Sequence, residues 1–160
     1  MDVKLEKADA SDSPVLHEMQ KAAFWPLLEK YKDVETSPAA ETLERVTSRI
    51  THREGVFCKI WADGKLAGAI NIKWKEDERF WIGPLFVLPE YQGKGIAQEA
   101  MRQAEVQHPQ AKSWELATLL EERGNCYLYE KMGFSKTGKY EKLNHLATLV
   151  YYRKSCGHKL

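Results

Sequence analysis

A glycine-rich segment between a strand and a helix is the part of this sequence best suited to bind a ligand. An apolar run rich in β-forming residues, Phe80 to Leu88, ends at Pro89, and the turn Gln92-Gly93-Lys94-Gly95 leads into an amphipathic helix. The first N–H groups of a helix have no intrahelical partner and lie at the positive end of its dipole, and glycine lets a ligand approach the backbone closely. The segment therefore predicts a binding site for a phosphate group.

Two common phosphate-binding motifs do not match this turn. A P-loop needs a glycine five residues before the Gly-Lys pair and Ser or Thr after it, whereas Leu88 and Gly95 occupy those positions. The dinucleotide motif Gly-x-Gly-x-x-Gly fails because Gln98 stands at its third glycine. The spacing that the segment does satisfy is Gln-x-x-Gly-x-Ala, formed by Gln92, Gly95 and Ala97.

A second pattern follows the next predicted strand, where Leu128 to Phe134 spell Leu-Tyr-Glu-Lys-x-Gly-Phe. Together the two segments, in this order and at this spacing, resemble the GNAT superfamily of acetyl-CoA-dependent N-acetyltransferases. The residues Val87 to Tyr91 also look like the strand end that leads into the pyrophosphate-binding motif of that family. The resemblance covers nearly all of the 160 residues.

The resemblance implies which residues contact the co-substrate, acetyl-CoA. The turn and the start of the next helix would bind its pyrophosphate, and the backbone of the preceding strand would bind the pantetheine arm as an added strand would. Asn125 would bond the pantetheine amides, although it could simply cap its helix, and Lys94 could be a solvated loop residue. The implied cofactor-binding residues are Phe86, Val87, Gln92, Gly93, Lys94, Gly95, Ile96, Ala97 and Asn125.

Tyr129 is the candidate catalytic residue. Aminolysis of a thioester needs a neutral amine, a stabilised oxyanion and a proton for the departing thiolate. The resemblance places Tyr129 near the CoA sulfur, and a phenol with a pKa of about 10 is protonated at neutral pH and can donate a hydrogen bond. The alternative is that Tyr129 only packs beside Cys126 and Met132. A covalent route through Cys126 would need a base partner that the sequence does not provide.

No general base is evident from the sequence. Some members of the family carry a glutamate on the strand that corresponds to Phe80 to Leu88, where this chain has Trp81-Ile82-Gly83-Pro84. Glu78 and Glu115 are the nearest carboxylates along the chain, and each could act through water or be a solvated charge. The family does not always use a dedicated base, so the functional interpretation does not require one.

The amine acceptor is expected to bind at the segment Phe24 to Pro38 and the closing strands. This segment combines aromatic rings with carboxylates, which suits a cationic amine through cation–π and charge contacts. The alternative is that the aromatic residues anchor a connection between two helices and the acids are exposed. The candidate substrate-binding residues are Trp25, Tyr31, Asp33 and Trp81, with Glu35 as a further acid of the segment.

Composition limits the remaining possibilities. The 160 residues suit one domain, residues 1–160, and a net charge of +1 argues against a nucleic-acid or membrane-surface partner. The polar N-terminus and the lack of a long apolar run predict a cytoplasmic protein. Three cysteines and five histidines without ligand spacing argue against a disulfide framework or a metal site. A monomer or a homodimer is expected.

Hydrophobic periodicity predicts the order of helices and strands. A helix is expected to begin within Ser11-Asp12-Ser13-Pro14 and to be interrupted at Pro26, and a second helix to open at Ser37-Pro38. Asp63-Gly64 predicts a type I′ hairpin, and Gly83-Pro84 predicts a bulge inside its strand. The fold class is α/β of the α+β type: a mixed, mostly antiparallel sheet of about seven strands with about four helices on both sides. The resemblance adds a splay after the bulged strand, which forms the cofactor cleft.

These features lead to one main functional hypothesis and one alternative. The main hypothesis is an N-acetyltransferase that moves an acetyl group from acetyl-CoA to a primary amine of a small molecule or peptide, by direct attack in a ternary complex. The alternative is a non-catalytic acyl-CoA-binding or sensor domain that keeps the phosphate site. The two differ in whether adding an amine releases free thiol.

Overall fold

The computed structural model describes residues 1–156, which form seven strands and four α-helices. Short 3₁₀ turns join several of these elements. The elements in chain order are β1 Val3–Lys7, α1 Ser13–Tyr31, α2 Leu43–Ile50, β2 Gly55–Ala62, β3 Lys65–Trp74, β4 Arg79–Val87, α3 Ile96–Gln107, β5 Ser113–Leu119, α4 Arg123–Lys131, β6 Ser135–Lys142 and β7 Thr148–Ser155.

The strands form one mixed sheet in the order β1-β2-β3-β4-β5-β7-β6. All neighbouring strands pair antiparallel except β4 and β5, which run parallel and are joined through α3. Strand β7 is inserted between β5 and β6 and pairs antiparallel with both. The predicted fold class, a mostly antiparallel sheet with helices on both sides, is confirmed.

Two helices cover each face of the sheet. On one face α1 and α2 bury Leu16 and Val46 against Phe57 of β2 and Phe86 of β4. On the other face the apolar side of α3, together with Cys126 of α4, packs over the larger core cluster. The residues of α3 in that cluster are Ile96, Ala100, Met101 and Ala104, at the helical spacing that the sequence displays.

Helix α1 differs from the prediction because it runs through Pro26 without interruption. A proline inside a helix removes one hydrogen bond and crowds the preceding turn. Contacts on both sides of Pro26 hold the helix in place: the Phe24 ring packs on Phe86 with centroids 5.9 Å apart, and the Tyr31 hydroxyl donates to Glu122 at 2.5 Å. Tertiary contacts therefore outweigh the local penalty.

The second helix also begins later than predicted. Ser37 caps a single 3₁₀ turn, Pro38–Ala40, through a hydrogen bond from the Ala39 amide at 3.2 Å. Glu41 is extended, with ψ of 147°, so the turn cannot continue as a helix. Helix α2 starts after Thr42, whose hydroxyl accepts from the Arg45 amide at 3.2 Å. Two capping signals lie close together here, and the prediction used only the first.

Two local predictions, the Asp63-Gly64 turn and the Gly83-Pro84 bulge, are confirmed, and Gly133 adds a third position where glycine sets the backbone. Asp63 and Gly64 join β2 to β3 with φ of 50° and 79°, as a type I′ turn requires. Gly133 follows α4 with φ of 98°, the left-handed conformation that commonly ends a helix. Gly83 and Pro84 form the predicted bulge, because Ile70 and Ile72 of β3 pair with Leu85 and Ile82 of β4 and leave two residues opposite one.

Candidate active site

Strands β4 and β5 pair at one end and separate at the other. Their parallel pairing joins only Arg79 to Trp81 with Ser113 to Glu115. Just beyond Trp81 comes the bulge, where the buried Asn71 amide donates to the Gly83 carbonyl at 2.9 Å. Because Pro84 has no N–H to donate, the bulge also interrupts the ladder of β4. Beyond this point the two strands separate and form a wedge, which is the predicted splay.

A buried carboxylate holds the closed end of the wedge. Glu115 of β5 accepts two hydrogen bonds from the Arg79 guanidinium, at 3.0 and 3.1 Å, and a third from Arg153 at 3.2 Å. Burial favours the neutral acid, but the hydrogen bonds and charge of Arg79, aided by Arg153 and Lys75, lower the pKa of Glu115. Glu115 is therefore an ionised structural residue, and this pairing leaves it poorly suited to act as a base.

The open edge of β4 presents backbone groups to the wedge. The Leu88 N–H donates to the Ala67 carbonyl of β3 at 2.8 Å. Successive peptide groups of a strand point to opposite sides, so the N–H and C=O groups of Val87 face away from β3. The Gln92 side chain donates to that Val87 carbonyl at 2.9 Å and closes the turn onto the strand. The Val87 side chain is buried, so only its backbone can face a ligand. Phe86, which was predicted to bind the cofactor, does not: its side chain is buried and its peptide groups are turned to Ala69 and Gly68 of β3.

The predicted phosphate turn has the geometry that its sequence implies. Gly93 and Gly95 have φ of 76° and 79°, and a Cβ atom at either position would meet no atom within 4 Å. Gly95 is the N-cap of α3, and the Glu99 N–H donates to its carbonyl at 3.0 Å. The N–H groups of Ile96, Ala97 and Gln98 precede that first helical bond, so they are open to an anion. The turn thus fits a phosphate group.

Lys94 of the turn and Ile96, the first residue of α3, differ in their surroundings. The Lys94 ammonium lies 5.9 Å from the centre of the Tyr91 ring and is exposed. The Ile96 side chain is buried in the core. Of these two residues, only Lys94 has a side chain that can contact a phosphate, whereas Ile96 can contact it through its backbone N–H.

Tyr129 lies on α4, with its ring packed at centroid distances of 6.1 Å from Phe134 and 6.3 Å from Tyr152. Within the part of the chain that the structure describes, its hydroxyl has no hydrogen-bond partner. Burial, and then the neighbouring Cys126 thiol, raises the pKa of Tyr129 to about 12. The phenol is therefore protonated throughout the neutral range, with its hydrogen available to donate.

A cavity of about 880 Å³ connects the two faces of the sheet. Residues of α1 and α2 line it, and so do Asn125 and Tyr129 of α4, although these helices cover opposite faces. The cavity must therefore pass through the opening between β4 and β5. Five of the predicted site residues meet in its lining: Tyr31, Asp33, Trp81, Asn125 and Tyr129.

The remaining predicted site residues lie elsewhere. Trp25 is 45% exposed on α1, outside the cavity lining. The phosphate turn is also outside it, and Gly95 instead lines a shallower depression with Gln98, Arg102 and Met132. The depression at the start of α3 and the large cavity are therefore two separate surfaces.

Tyr31 and Asp33 already have partners in the structure. Burial, and then the hydrogen bond to Glu122, raises the pKa of Tyr31, whose carbonyl also accepts from the Asn144 side chain at 2.9 Å. The Asp33 carboxylate accepts from the amide and the hydroxyl of Thr36 within its own turn. Through these hydrogen bonds, both residues hold in place the segment Phe24 to Pro38, which borders the cavity.

The charge of the cavity lining differs from the predicted acidic character. Among the described residues 1–156, two carboxylates line it, Asp33 and Glu41, whereas five cationic side chains do: Arg45, Arg49, Lys73, Lys75 and Lys139. Of the other acids considered, Glu35 is exposed outside the lining, and Glu78 stands in the turn before β4, also outside it.

A buried polar network at the cavity wall was not predicted from the sequence. Glu41 accepts two hydrogen bonds from the Arg49 guanidinium and one from the Gln20 side chain at 2.7 Å. Gln20 is completely buried in α1, and Asn71 is buried between two isoleucines of β3. Polar residues at positions that helical or strand periodicity assigns to the core were the available signal for both.

Two kinds of feature are absent from the described residues 1–156. No helix there is long and apolar enough to cross a membrane. No group of three or more His, Cys, Asp or Glu side chains in that range is arranged to hold a metal ion.

Comparison with known proteins gives a match to a family and a match to a curated relative. The acetyltransferase (GNAT) family model matches residues 17–134. The uncharacterized protein YrkN of Bacillus subtilis is 30% identical over 135 residues, which is 82% of this chain and 72% of that protein.

Solved structures of similar shape have much lower sequence identity. The ribosomal-protein-S18-alanine N-acetyltransferase of Escherichia coli superposes with a TM-score of 0.77 at 13% identity, covering 99% of both chains. The spermidine N-acetyltransferase of Vibrio cholerae, solved with CoA and spermine, has a TM-score of 0.76 at 17% identity and covers 96% of this chain and 95% of its own. These two likenesses concern the fold, whereas the family model concerns the sequence itself. This chain belongs to the acetyltransferase (GNAT) family.

Proposed function

We propose that this protein transfers the acetyl group of acetyl-CoA to a primary amine of a small molecule or peptide, by direct attack of the amine in a ternary complex. One observation carries the proposal. The Tyr129 hydroxyl, protonated and without a hydrogen-bond partner among residues 1–156, lines a cavity that passes through the wedge between β4 and β5. Acetyl-CoA can enter the wedge from one face of the sheet and the amine from the other face.

The residues of the wedge each have a defined role in this proposal. The N–H groups at the start of α3 and Lys94 bind the pyrophosphate, and the outward peptide groups of Val87 bind the pantetheine arm. Asn125, at the other side of the cavity, bonds the same arm. Tyr31, Asp33 and Trp81 border the space left for the amine.

Tyr129 acts mainly by donating a hydrogen bond to the leaving sulfur. Acetyl-CoA supplies a thioester, whose carbonyl carbon the amine attacks and whose sulfur departs. Complete proton transfer from a phenol with a pKa of about 12 to a thiolate with a pKa of about 8.5 would be uphill by about 5 kcal/mol. The hydrogen bond costs no such transfer, and the proton that the amine loses balances the one that the thiol gains. A dedicated base is therefore not required in net terms.

Replacing Gly95 by valine should abolish acetyl-CoA binding. The side chain would occupy the space in front of the α3 N–H groups, where the phosphate must approach. In wild type, acetyl-CoA at about 100 times its Kd should stabilise the fold by about 2.7 kcal/mol, seen as a rise in Tm.

Gly64→Val is the matched control for Gly95→Val. Gly64 has the same φ of 79° and the same empty surroundings, but it lies in the β2–β3 hairpin. Both variants should therefore lose about 1–3 kcal/mol of stability through backbone strain, while only Gly64→Val keeps the rise in Tm with acetyl-CoA. An undiminished rise in Gly95→Val would exclude the turn as the binding site.

Tyr129→Phe should lower kcat by about 10–100-fold or more and leave the Kd of acetyl-CoA nearly unchanged, because the hydrogen bond forms as the sulfur departs. Thiol release under saturating amine measures kcat. Tyr127→Phe is the control, since Tyr127 lies on the same helix with 70% of its surface exposed. If Tyr129→Phe keeps its kcat but binds acetyl-CoA more weakly, Tyr129 is a positioning residue. If the wild-type protein binds acetyl-CoA but releases no thiol with any amine, the protein is a sensor domain.

The value of kcat should not fall as the pH is raised from neutral to about 10. A raised pKa keeps the Tyr129 phenol protonated, and the donor is lost only as the pH rises through about 12. With an ordinary pKa of about 10, half of the donor would already be gone at pH 10. Rates at saturating amine and acetyl-CoA, with circular dichroism to confirm folding, test this. A fall by half at about pH 10 that is absent in Tyr129→Phe would contradict the raised pKa.

A further inference from the structure

Positive charge surrounds the part of the cavity that would receive the amine. Arg45 and Arg49 project from α2, Lys73 from β3, Lys75 from the connection to β4, and Lys139 from β6. They belong to three segments that are far apart in sequence and come together only in the fold. A concave site lined by charge of one sign concentrates ions of the opposite sign.

The two carboxylates of the lining do not cancel this charge. Glu41 is bonded by Arg49 and Gln20, and although burial opposes ionisation, Arg49 lowers the pKa of Glu41. That pair is neutral as a unit. Asp33 accepts two hydrogen bonds from Thr36 in its own turn. Four cations therefore remain against the single charge of Asp33.

The four remaining cations are available to a ligand. Arg45, Lys73 and Lys139 form no ion pair with any carboxylate of residues 1–156. Lys75 lies 3.8 Å from Glu115, a carboxylate that two arginines already hold. A bound anion would thus not have to displace an existing partner.

Aromatic rings place two of these ammonium groups at the cavity. Lys75 lies over the Trp81 ring at 4.8 Å and Lys139 over the Tyr151 ring at 4.3 Å. The two rings are 6.1 Å apart and both line the cavity. Cation–π contacts thus hold the two charges on one wall of the cavity.

We propose that the acceptor is a small amine that also carries a carboxylate, which Arg45, Lys73, Lys75 and Lys139 bind while the amino group reaches the wedge. The proposal rests on the transferase function and specifies its acceptor. The same cations repel an ammonium group, which favours the neutral amine that attacks a thioester. A diamine would carry its second positive charge into this region and would be disfavoured.

A panel of matched amines tests the proposal by thiol release with acetyl-CoA. It consists of ω-amino acids of increasing chain length, each with its uncharged amide and the diamine of the same length. We expect the best acid to exceed its diamine in kcat/KM by about tenfold or more, and this preference to shrink as salt is added. Preference for the diamine or the amide across the panel, with thiol still released, would overturn the acceptor proposal and leave the transferase intact.

Substitution of the cations gives a second readout. Lys139→Gln and Arg45→Gln should each raise the KM of the acid by about tenfold while leaving the KM of the amide and of acetyl-CoA unchanged. Lys136→Gln is the matched control, since Lys136 is exposed on the same strand as Lys139 but outside the cavity lining. Equal effects on acid and amide would overturn the proposal, because they would reflect damage to the site rather than loss of charge recognition.

Binding separates failure of the acceptor proposal from failure of the transferase. If no amine releases thiol, calorimetry of the same panel with CoA-saturated protein still decides. Tighter binding of the acid than of the diamine, lost in Lys139→Gln, supports a carboxylate site. Equal or weaker binding of the acid, or binding that Lys139→Gln leaves unchanged, overturns it. A peptide with acidic residues that is preferred to every small acid would also overturn it.

Discussion

The separation of β4 from β5 is the constraint on which the rest of the site depends. Two parallel strands would ordinarily pair along their whole length, but here a bulge turns β4 away and the Asn71 amide holds it by the Gly83 carbonyl. The ion pair between Arg79 and Glu115 keeps the strands together at the other end. A gap with one fixed end is a wedge, and it leaves the backbone of Val87 without a strand partner. An unpaired strand edge in a sheet is a natural place for an extended ligand.

The two faces of the sheet supply different chemistry to this wedge. The α3 and α4 face offers the N–H groups at the start of α3 and the Tyr129 phenol, which suit a phosphate and a departing sulfur. The α1 and α2 face offers a cationic wall. Because the cavity joins both faces, a donor and an acceptor can meet without either crossing the other's site. The hydrogen bond of Tyr31 to Glu122, which ties the end of α1 to the start of α4, fixes the distance between the two sides.

Local features of the site were predictable from the sequence, whereas its charge was not. The Asp63-Gly64 turn, the Gly83-Pro84 bulge and the glycine turn before α3 follow from short patterns in which the residue type decides the backbone. The course of α1 through Pro26 does not, because distant contacts outweigh a local rule.

The cavity lining was not predictable for the same reason. Arg45, Lys73 and Lys139 are spread over most of the chain, and nothing local marks them as neighbours. Sequence clustering drew attention to Asp33 and Glu35 instead, although Asp33 bonds Thr36 and Glu35 lies outside the lining. Proximity along the chain was a poor guide to proximity in the cavity.

Amide hydrogen exchange at Val87, with and without CoA, tests the central claim most directly. The Val87 N–H faces the open wedge, whereas the Leu88 N–H is bonded to Ala67 of β3 and serves as the internal reference. If the wedge receives the cofactor chain, saturating CoA should slow exchange at Val87 by about tenfold or more relative to Leu88. An unchanged ratio of the two rates at saturating CoA would contradict the account.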